Sequence, residues 1–359
     1  MTRAYNVVDA DGHILEPLNL WDEYIDPEYR ERRPRFTIDE NGKERLKVEG
    51  KMLGNPRGIG SLGSVGVRQG AVKPDTLKYA EGKKGGFDPH ARIVDMDADG
   101  IDAAFLYPSL GLFAGAVEDP GLAGAMCRAY NRWLADYCKP YPDRLFGVAM
   151  LPMQSVDLAI DEMRYARERL GMRGGFLRPN PYHGNKMISD PMYEPFWTMA
   201  EELDFSIGFH EGSTTAMPTV GVDRFEADRA ARHMISHTME IMLAAMAVIW
   251  GGVVDHHPRL RIAFLGRDLC ACDPLLGPRV AADDRRRFDK RAGGSGCGRC
   301  RDRRRVARVF SMRIFGAIDE AGWKIVALLR RARRRIDRVT VVGSRLESPN
   351  NSHMVGQRV

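Results

Sequence analysis

The chain lacks several features that would each have assigned it to a class. It has no run of about 18 consecutive apolar residues, which a transmembrane helix needs, so we predict no membrane span. No apolar stretch follows a basic start in residues 1–9, so we predict no secretory signal peptide. Only six cysteines occur in 359 residues. Together with the missing signal, this predicts reduced thiols and a cytoplasmic protein.

The chain also lacks a Gly-rich phosphate-binding fingerprint after its first apolar run, which disfavours a two-domain, doubly wound protein. Instead, short apolar runs alternate with segments of helical periodicity. This alternation is typical of βα units around a parallel sheet. Eight strands and roughly 250 barrel residues match a TIM barrel. We therefore predict an α/β fold in which residues 1–359 form one (β/α)₈ TIM-barrel domain.

The predicted strands are short and mostly apolar, as expected for strands that are buried on both faces. They cover residues 7–13, 102–109, 145–152, 174–181, 206–212, 261–266, 313–318 and 338–344. The predicted helices cover residues 119–137, 156–170, 191–203 and 231–250. Residues 17–90 contain many prolines and glycines, and we expect a long loop or cap inserted after the first strand.

The positive charge is concentrated in one part of the chain. Of 54 Lys and Arg and 48 Asp and Glu, residues 267–338 hold 21 and 9, a local balance of +12 against −6 elsewhere. Within this segment, residues 267–310 show little periodicity, which predicts an irregular C-terminal third. Its arginine runs lack interleaved aromatic residues, so we do not expect a nucleic-acid partner.

Two strand ends carry potential metal ligands. Asp11 and His13 end the first predicted strand, where alternate side chains share a face. A carboxylate beside an imidazole suits Zn²⁺ or a similar divalent cation, although Asp11 could also cap a turn while His13 packs locally. His210 ends the fifth predicted strand. Candidate ligands at two strand ends of one barrel are typical of a catalytic metal site.

Six stretches of the chain resemble one known family. They are VVDADGHILEP (7–17), RIVDMDADGIDAAFLYPS (92–109), AYNRWLADYCKPYPDRLFGVAMLP (129–152), GGFLRPNP (174–181), FHEG (209–212) and GGVVDHHPRLRIAFL (251–265). They resemble the amidohydrolase-related family that includes aminocarboxymuconate-semialdehyde decarboxylase and the benzoate-type decarboxylases. The resemblance covers about residues 5–265, with the motifs in order and at barrel spacing.

This resemblance implies a divalent metal held by Asp11, His13 and His210, together with an Asp after the eighth strand. It also implies a catalytic His or acidic residue after the sixth strand. The cation expected is zinc, with manganese as the alternative. Relatives hydrolyse a bond or remove CO₂ non-oxidatively from an unsaturated or aromatic acid, so the implied partner is a small, carboxylated or aromatic substrate. The resemblance also suggests a homodimer.

The sequence departs from this family at two positions. Gly266 stands where the group after the sixth strand is expected, and Arg345 stands where the metal-binding Asp is expected. Arginine is always cationic and cannot bind a metal ion. The abrupt change in composition from about residue 266 indicates either a shifted reading frame or a diverged paralogue. A catalytically inactive barrel, acting as a pseudoenzyme or interaction protein, is therefore the alternative function.

Three further residues are candidates for the site. Arg178, towards the end of the fourth predicted strand, could bind a substrate carboxylate through two hydrogen bonds or pair with a neighbouring acid. Glu16 could orient the side chain of His13 without binding the metal itself, or it could cap the segment that follows. His237 lies within the helix predicted over residues 231–250, where it could face the site or pack on the helix surface.

Overall fold

The computed structural model describes residues 5, 7–53, 58–63, 78–212, 217–225, 228–265 and 339–342. The chain divides into two compact units, Met1–Asp268 with Val339–Val359, and Leu269–Arg338. All described residues belong to the first unit. The predictions made for Gly266, Arg345, the strand at 313–318, the segment at 267–310 and the arginine runs lie outside the described residues.

The described elements follow the chain as alternating strands and helices after an N-terminal insertion. In order they are β1 (Val8–His13), α1 (Leu20–Tyr24), β2 (Arg35–Ile38), β3 (Glu44–Val48), β4 (Lys51–Leu53), α2 (Gly60–Gly63), α3 (Lys84–Phe87), α4 (Pro89–Ala98), β5 (Ala103–Tyr107), α5 (Pro120–Cys138), β6 (Leu145–Gly147), β7 (Ala149–Met150), α6 (Val156–Glu168), β8 (Gly174–Leu177), α7 (Glu194–Glu202), β9 (Ser206–Phe209), α8 (Arg229–Trp250), α9 (Val253–His256), β10 (Ile262–Leu265) and β11 (Val339–Val342).

The strands of the α/β part are parallel and lie in the sheets in their order along the chain. β5 pairs with both β1 and β6, and a second sheet has the order β11-β10-β9-β8-β7. β6 and β7 are separated only by Val148, whose backbone N–H donates to the carbonyl of Leu106 at 3.1 Å. The strand predicted over residues 145–152 is therefore divided, with its first half paired to β5 and its second half to β8.

The predicted helices are confirmed with small changes at their ends. Side chains cap the N-terminal ends of three of them, because Asp119, Ser155 and Asp228 accept hydrogen bonds from backbone N–H groups of α5, α6 and α8. The helix predicted over residues 191–203 is a 3₁₀ turn, Pro191–Tyr193, followed by α7. Pro195 sits in the first turn of α7, where the missing N–H group costs no helical hydrogen bond.

The core lies between the parallel strands and the helices that connect them. Phe209 of β9 and Phe264 of β10 are buried and stack with ring centroids 5.4 Å apart. Trp197 of α7 packs against Phe209 at 6.5 Å, and its indole N–H donates to the carbonyl of Ile188. This packing fixes the end of β9, which carries the next residue, His210.

The described part of residues 17–90, namely 17–53, 58–63 and 78–90, contains more than a loop. It contains the antiparallel sheet β2-β3-β4 and the helices α1 and α3. The carboxylate of Glu49, which follows β3, accepts backbone hydrogen bonds from Glu118 and Asp119 at the start of α5. Glu44 of β3 accepts one from Tyr79. The two hydrogen bonds to Glu49 attach this stretch to the α/β part of the unit, and the bond between Tyr79 and Glu44 lies within the stretch.

One described helix is long and apolar enough to cross a membrane by length and composition. The apolar stretch is Ala231–Trp250 of α8, and 28% of it is buried. A single helix of this kind is weak evidence, since core helices of globular proteins share the same composition.

Candidate metal centre

The carboxyl end of β1 contains an irregularity that shapes the site. Its pairing with β5 shifts between Asp9 and Gly12, so β1 has one more residue than its partner over this stretch. Gly12 follows the shift in a tight position, where a Cβ atom would lie 3.0 Å from the carbonyl oxygen of Phe105. The bulge sets the positions of Asp11 and His13 relative to the strand end.

His13 is oriented by its backbone surroundings. Its Nδ1 lies 2.8 Å from the carbonyl oxygen of Pro108, the residue that follows β5. A carbonyl only accepts hydrogen bonds, so Nδ1 carries the proton and Nε2 of the neutral ring presents a lone pair. This is the arrangement in which histidine binds a metal ion while its second nitrogen is anchored.

Three electron-rich atoms converge at this point. Nε2 of His210 lies 3.0 Å from Nε2 of His13 and 3.5 Å from Oδ1 of Asp11. The Oδ1 atom of Asp11 is buried and has no hydrogen-bond partner within the described part of the chain. Burial raises the pKa of Asp11, and it lowers the pKa of His210 well below its ordinary value. Burial therefore favours a neutral His210, whose ring nitrogen can bind a metal ion, and a bound cation would stabilise the Asp11 anion.

The geometry of these atoms fits a divalent cation. One ligand atom from each of Asp11, His13 and His210 lies within 4.8 Å of the others. Zinc binds imidazole nitrogen and carboxylate oxygen at about 2.0–2.2 Å, which places neighbouring ligands of a tetrahedron about 3.3 Å apart. The observed separations of 3.0 and 3.5 Å lie on either side of that value. The structure thus brings together the three residues that the family resemblance implies as metal ligands.

Arg178 is buried and makes contacts on all sides within the protein. Its guanidinium donates to the carbonyl of Leu112 at 2.8 Å, to Asn180 Oδ1 at 2.9 and 3.1 Å, and to Glu211 Oε1 at 3.2 Å. Both side chains of the Arg178–Glu211 pair are 0% exposed. The structure therefore shows the ion pair with a neighbouring acid, and a role for Arg178 in binding substrate stays a prediction.

The carboxylate of Glu16 binds the backbone of the loop that follows β5. This buried carboxylate accepts backbone hydrogen bonds from Ser109, Leu110 and Gly111 at 2.9–3.0 Å. Tyr79 Oη donates to it at 3.3 Å. The expected contact with His13 is thus replaced by the carbonyl of Pro108. The reason is that three adjacent N–H groups after β5 offer a carboxylate more hydrogen bonds than one imidazole would.

Sequence reasoning missed Glu211 as a member of the site. It directly follows His210, and its Oε2 atom lies 3.0 Å from Nε2 of His237 and accepts from Ser236 Oγ at 3.3 Å. Burial raises the pKa of Glu211 to about 7, although the Arg178 charge acts in the opposite direction. The available signal was a glutamate at the end of a buried strand beside a candidate ligand. The structure also answers the question left open for His237, which faces the site.

Comparisons with known proteins agree with this architecture. A family model described as amidohydrolase matches residues 8–265. Gamma-resorcylate decarboxylase of Rhizobium sp. (strain MTP-10005) is 30% identical over 176 residues, covering 48% of this chain and 53% of that protein. The 2-amino-3-carboxymuconate-6-semialdehyde decarboxylase of Dictyostelium discoideum is 26% identical over 212 residues, covering 54% and 56%. The chain thus spans about half the length of the curated relatives it matches.

A solved structure shows a similar fold at low sequence identity. An amidohydrolase from Mycobacterium avium subsp. paratuberculosis K-10 superposes with a TM-score of 0.58, covering 73% of this chain and 72% of that one. The two sequences are 19% identical over the aligned part. At this identity the likeness concerns the fold alone.

Proposed function

Since this chain belongs to the amidohydrolase family, we propose that it is a metal-dependent enzyme that removes CO₂ from a small aromatic or unsaturated carboxylate. The observation that carries the proposal is the convergence of Asp11 Oδ1, His13 Nε2 and His210 Nε2, with the Asp11 oxygen buried and without a hydrogen-bond partner in the described chain. The names of two relatives, both decarboxylases, support this reaction over hydrolysis.

Asp11, His13 and His210 would hold the cation. When bound, a divalent cation supplies Lewis acidity, which polarises a carboxylate or hydroxyl oxygen of the substrate. We propose zinc, because two imidazoles and one carboxylate are ligands it favours, with manganese as the alternative. The protein's own part is to fix the His13 ring through Pro108 and to keep the ligands in surroundings where burial strengthens electrostatic interactions.

For the fold, we propose that the parallel strands β1 and β5 to β11 are part of a closed eight-stranded barrel. These strands run parallel in chain order. Asp11 and His13 lie at the carboxyl end of β1, and Arg178 and His210 directly follow β8 and β9. That end is where barrels of this kind hold their active sites. Residues 17–90 would then be the cap inserted after the first strand.

The test is turnover by the full chain after reconstitution with one equivalent of zinc or manganese. Gamma-resorcylate and 2-amino-3-carboxymuconate-6-semialdehyde are the first substrates to assay, with CO₂ release measured directly. We expect release that stops on chelation and returns when the metal is restored. Absence of CO₂ release and of hydrolysis, in folded protein that retains one equivalent of metal, would contradict the proposal and favour the inactive barrel.

A further inference from the structure

His237 lies beside the candidate metal centre without being one of its three ligands. Its ring stands edge to face with that of His210 at a centroid distance of 6.0 Å, and Nε2 lies 3.0 Å from Glu211 Oε2. The side chain is 12% exposed, so it is not fully enclosed. The proposed function does not use this residue.

The contact with Glu211 decides which nitrogen of His237 carries the proton. When Glu211 is ionised, its oxygen 3.0 Å from an unprotonated nitrogen would set two lone pairs against each other, so Nε2 then carries the hydrogen. Glu211 itself is held by the buried guanidinium of Arg178 at 3.2 Å and by Ser236 Oγ at 3.3 Å. Its carboxylate therefore cannot turn away from His237 without losing these partners.

The ring of His237 is also fixed on another side. His233, one helical turn earlier on α8, packs against it with centroids 4.1 Å apart. With Nε2 protonated and the ring held, Nδ1 is the nitrogen of a neutral ring that accepts hydrogen bonds. An acceptor beside a metal centre matches a donor on the substrate, and a phenolic hydroxyl is such a donor.

We propose that Glu211 is a positioning residue that fixes His237 with Nε2 protonated, and that Nδ1 of His237 accepts a hydrogen bond from a hydroxyl of an aromatic carboxylate substrate. The second half rests on the proposed function, because it takes the substrate class from there. The role of Glu211 in fixing the proton on Nε2 of His237 concerns only the protein, and it does not depend on which reaction is catalysed.

The tautomer is tested by ¹⁵N NMR of zinc-reconstituted protein labelled at its nine histidines, at about pH 8.5, where an ordinary imidazole is neutral. The His237 signals are assigned by their loss in His237→Gln. We expect protonated Nε2 and unprotonated Nδ1 in the wild-type protein. Glu211→Gln keeps an acceptor oxygen and should keep this tautomer, whereas Glu211→Ala should lose the preference. A wild-type spectrum with Nδ1 protonated would overturn the proposal, whether or not Glu211→Ala folds.

The substrate contact is tested by calorimetry with two ligands. Gamma-resorcylate carries hydroxyl groups and benzoate carries none. His237→Gln keeps a donor for Glu211 but removes the Nδ1 acceptor, so we expect about tenfold weaker binding of gamma-resorcylate and unchanged binding of benzoate. His237→Asn, whose side-chain oxygen can stand in for Nδ1, should recover part of the loss.

The possible results separate this inference from the proposed function. Equal losses for both ligands, or no loss for either, would overturn the contact while leaving the decarboxylase proposal intact. Failure of the wild-type protein to bind either ligand would overturn the contact together with the proposed substrate class. The NMR spectrum would then still decide the role of Glu211.

Discussion

The Nε2 atoms of His13 and His210 lie 3.0 Å apart, although 197 residues separate these two histidines in the chain. His13 is the last residue of β1, and His210 directly follows β9. Because Nδ1 of His13 is anchored on Pro108, its Nε2 lone pair faces its partner histidine. Two such nitrogens beside the Asp11 oxygen are a set of atoms that could hold a metal ion.

The first prediction concerns metal content. The Asp11→Ala, His13→Ala double variant should lose nearly all bound metal, falling from about one equivalent of zinc or manganese to near zero, because two of three ligands are removed. Elemental analysis of purified protein measures this. His183→Ala is the matched control, since His183 lies in a loop and contacts the carbonyl of Met153. Metal retained by the double variant would place the site elsewhere.

The second prediction concerns the buried pair of Arg178 and Glu211. Replacing Arg178 with Gln leaves a buried carboxylate without its cation and should lower the free energy of unfolding by about 3–5 kcal/mol. Arg35→Gln is the control, because Arg35 and its partner Glu31 are 53% and 90% exposed. That change should cost about 1 kcal/mol or less. Urea denaturation distinguishes the two, and equal losses would argue against a structural role of the buried pair.

The third prediction concerns the loop held by Glu16. Glu16→Gln puts an amide NH₂ group where the carboxylate accepted backbone hydrogen bonds, so at least one buried donor loses its acceptor. We expect the free energy of unfolding to fall by about 1–3 kcal/mol. Glu31→Gln, at a side chain that is 90% exposed, should change it by about 0.5 kcal/mol or less. Equal stability of the two variants would show that the backbone N–H groups of Ser109, Leu110 and Gly111 do not need the charge of Glu16.

The fourth prediction contrasts two glycines. In Gly12→Ala the new Cβ would lie 3.0 Å from both Asp9 Oδ2 and Phe105 O, so the bulge of β1 must move. We expect a loss of about 1–3 kcal/mol of stability together with weaker metal binding. In Gly124→Ala the nearest atom is Leu158 Cδ1 at 3.7 Å, and the residue lies inside α5. That substitution should stabilise the protein by about 0.5–1 kcal/mol, and thermal denaturation with a zinc titration compares the two.

Much of the fold could be predicted because its signals are local. Short apolar runs mark β1, β5, β8, β9 and β10 within a few residues, and periodicity with capping residues marks the main helices. The division of the third strand at Val148 could not be predicted in this way. Its two halves pair with different neighbours, and such pairing depends on strands distant in the sequence.

The sequence by itself determined where along the chain the potential metal ligands lie, since Asp11, His13 and His210 each mark the end of a predicted strand. Only the tertiary structure decided what surrounds them. Pro108 rather than Glu16 anchors His13, and Arg178 is neutralised by Glu211 inside the protein. The physical reason is that a buried polar group must find its partner among whichever atoms packing brings near, and packing is not written in local periodicity.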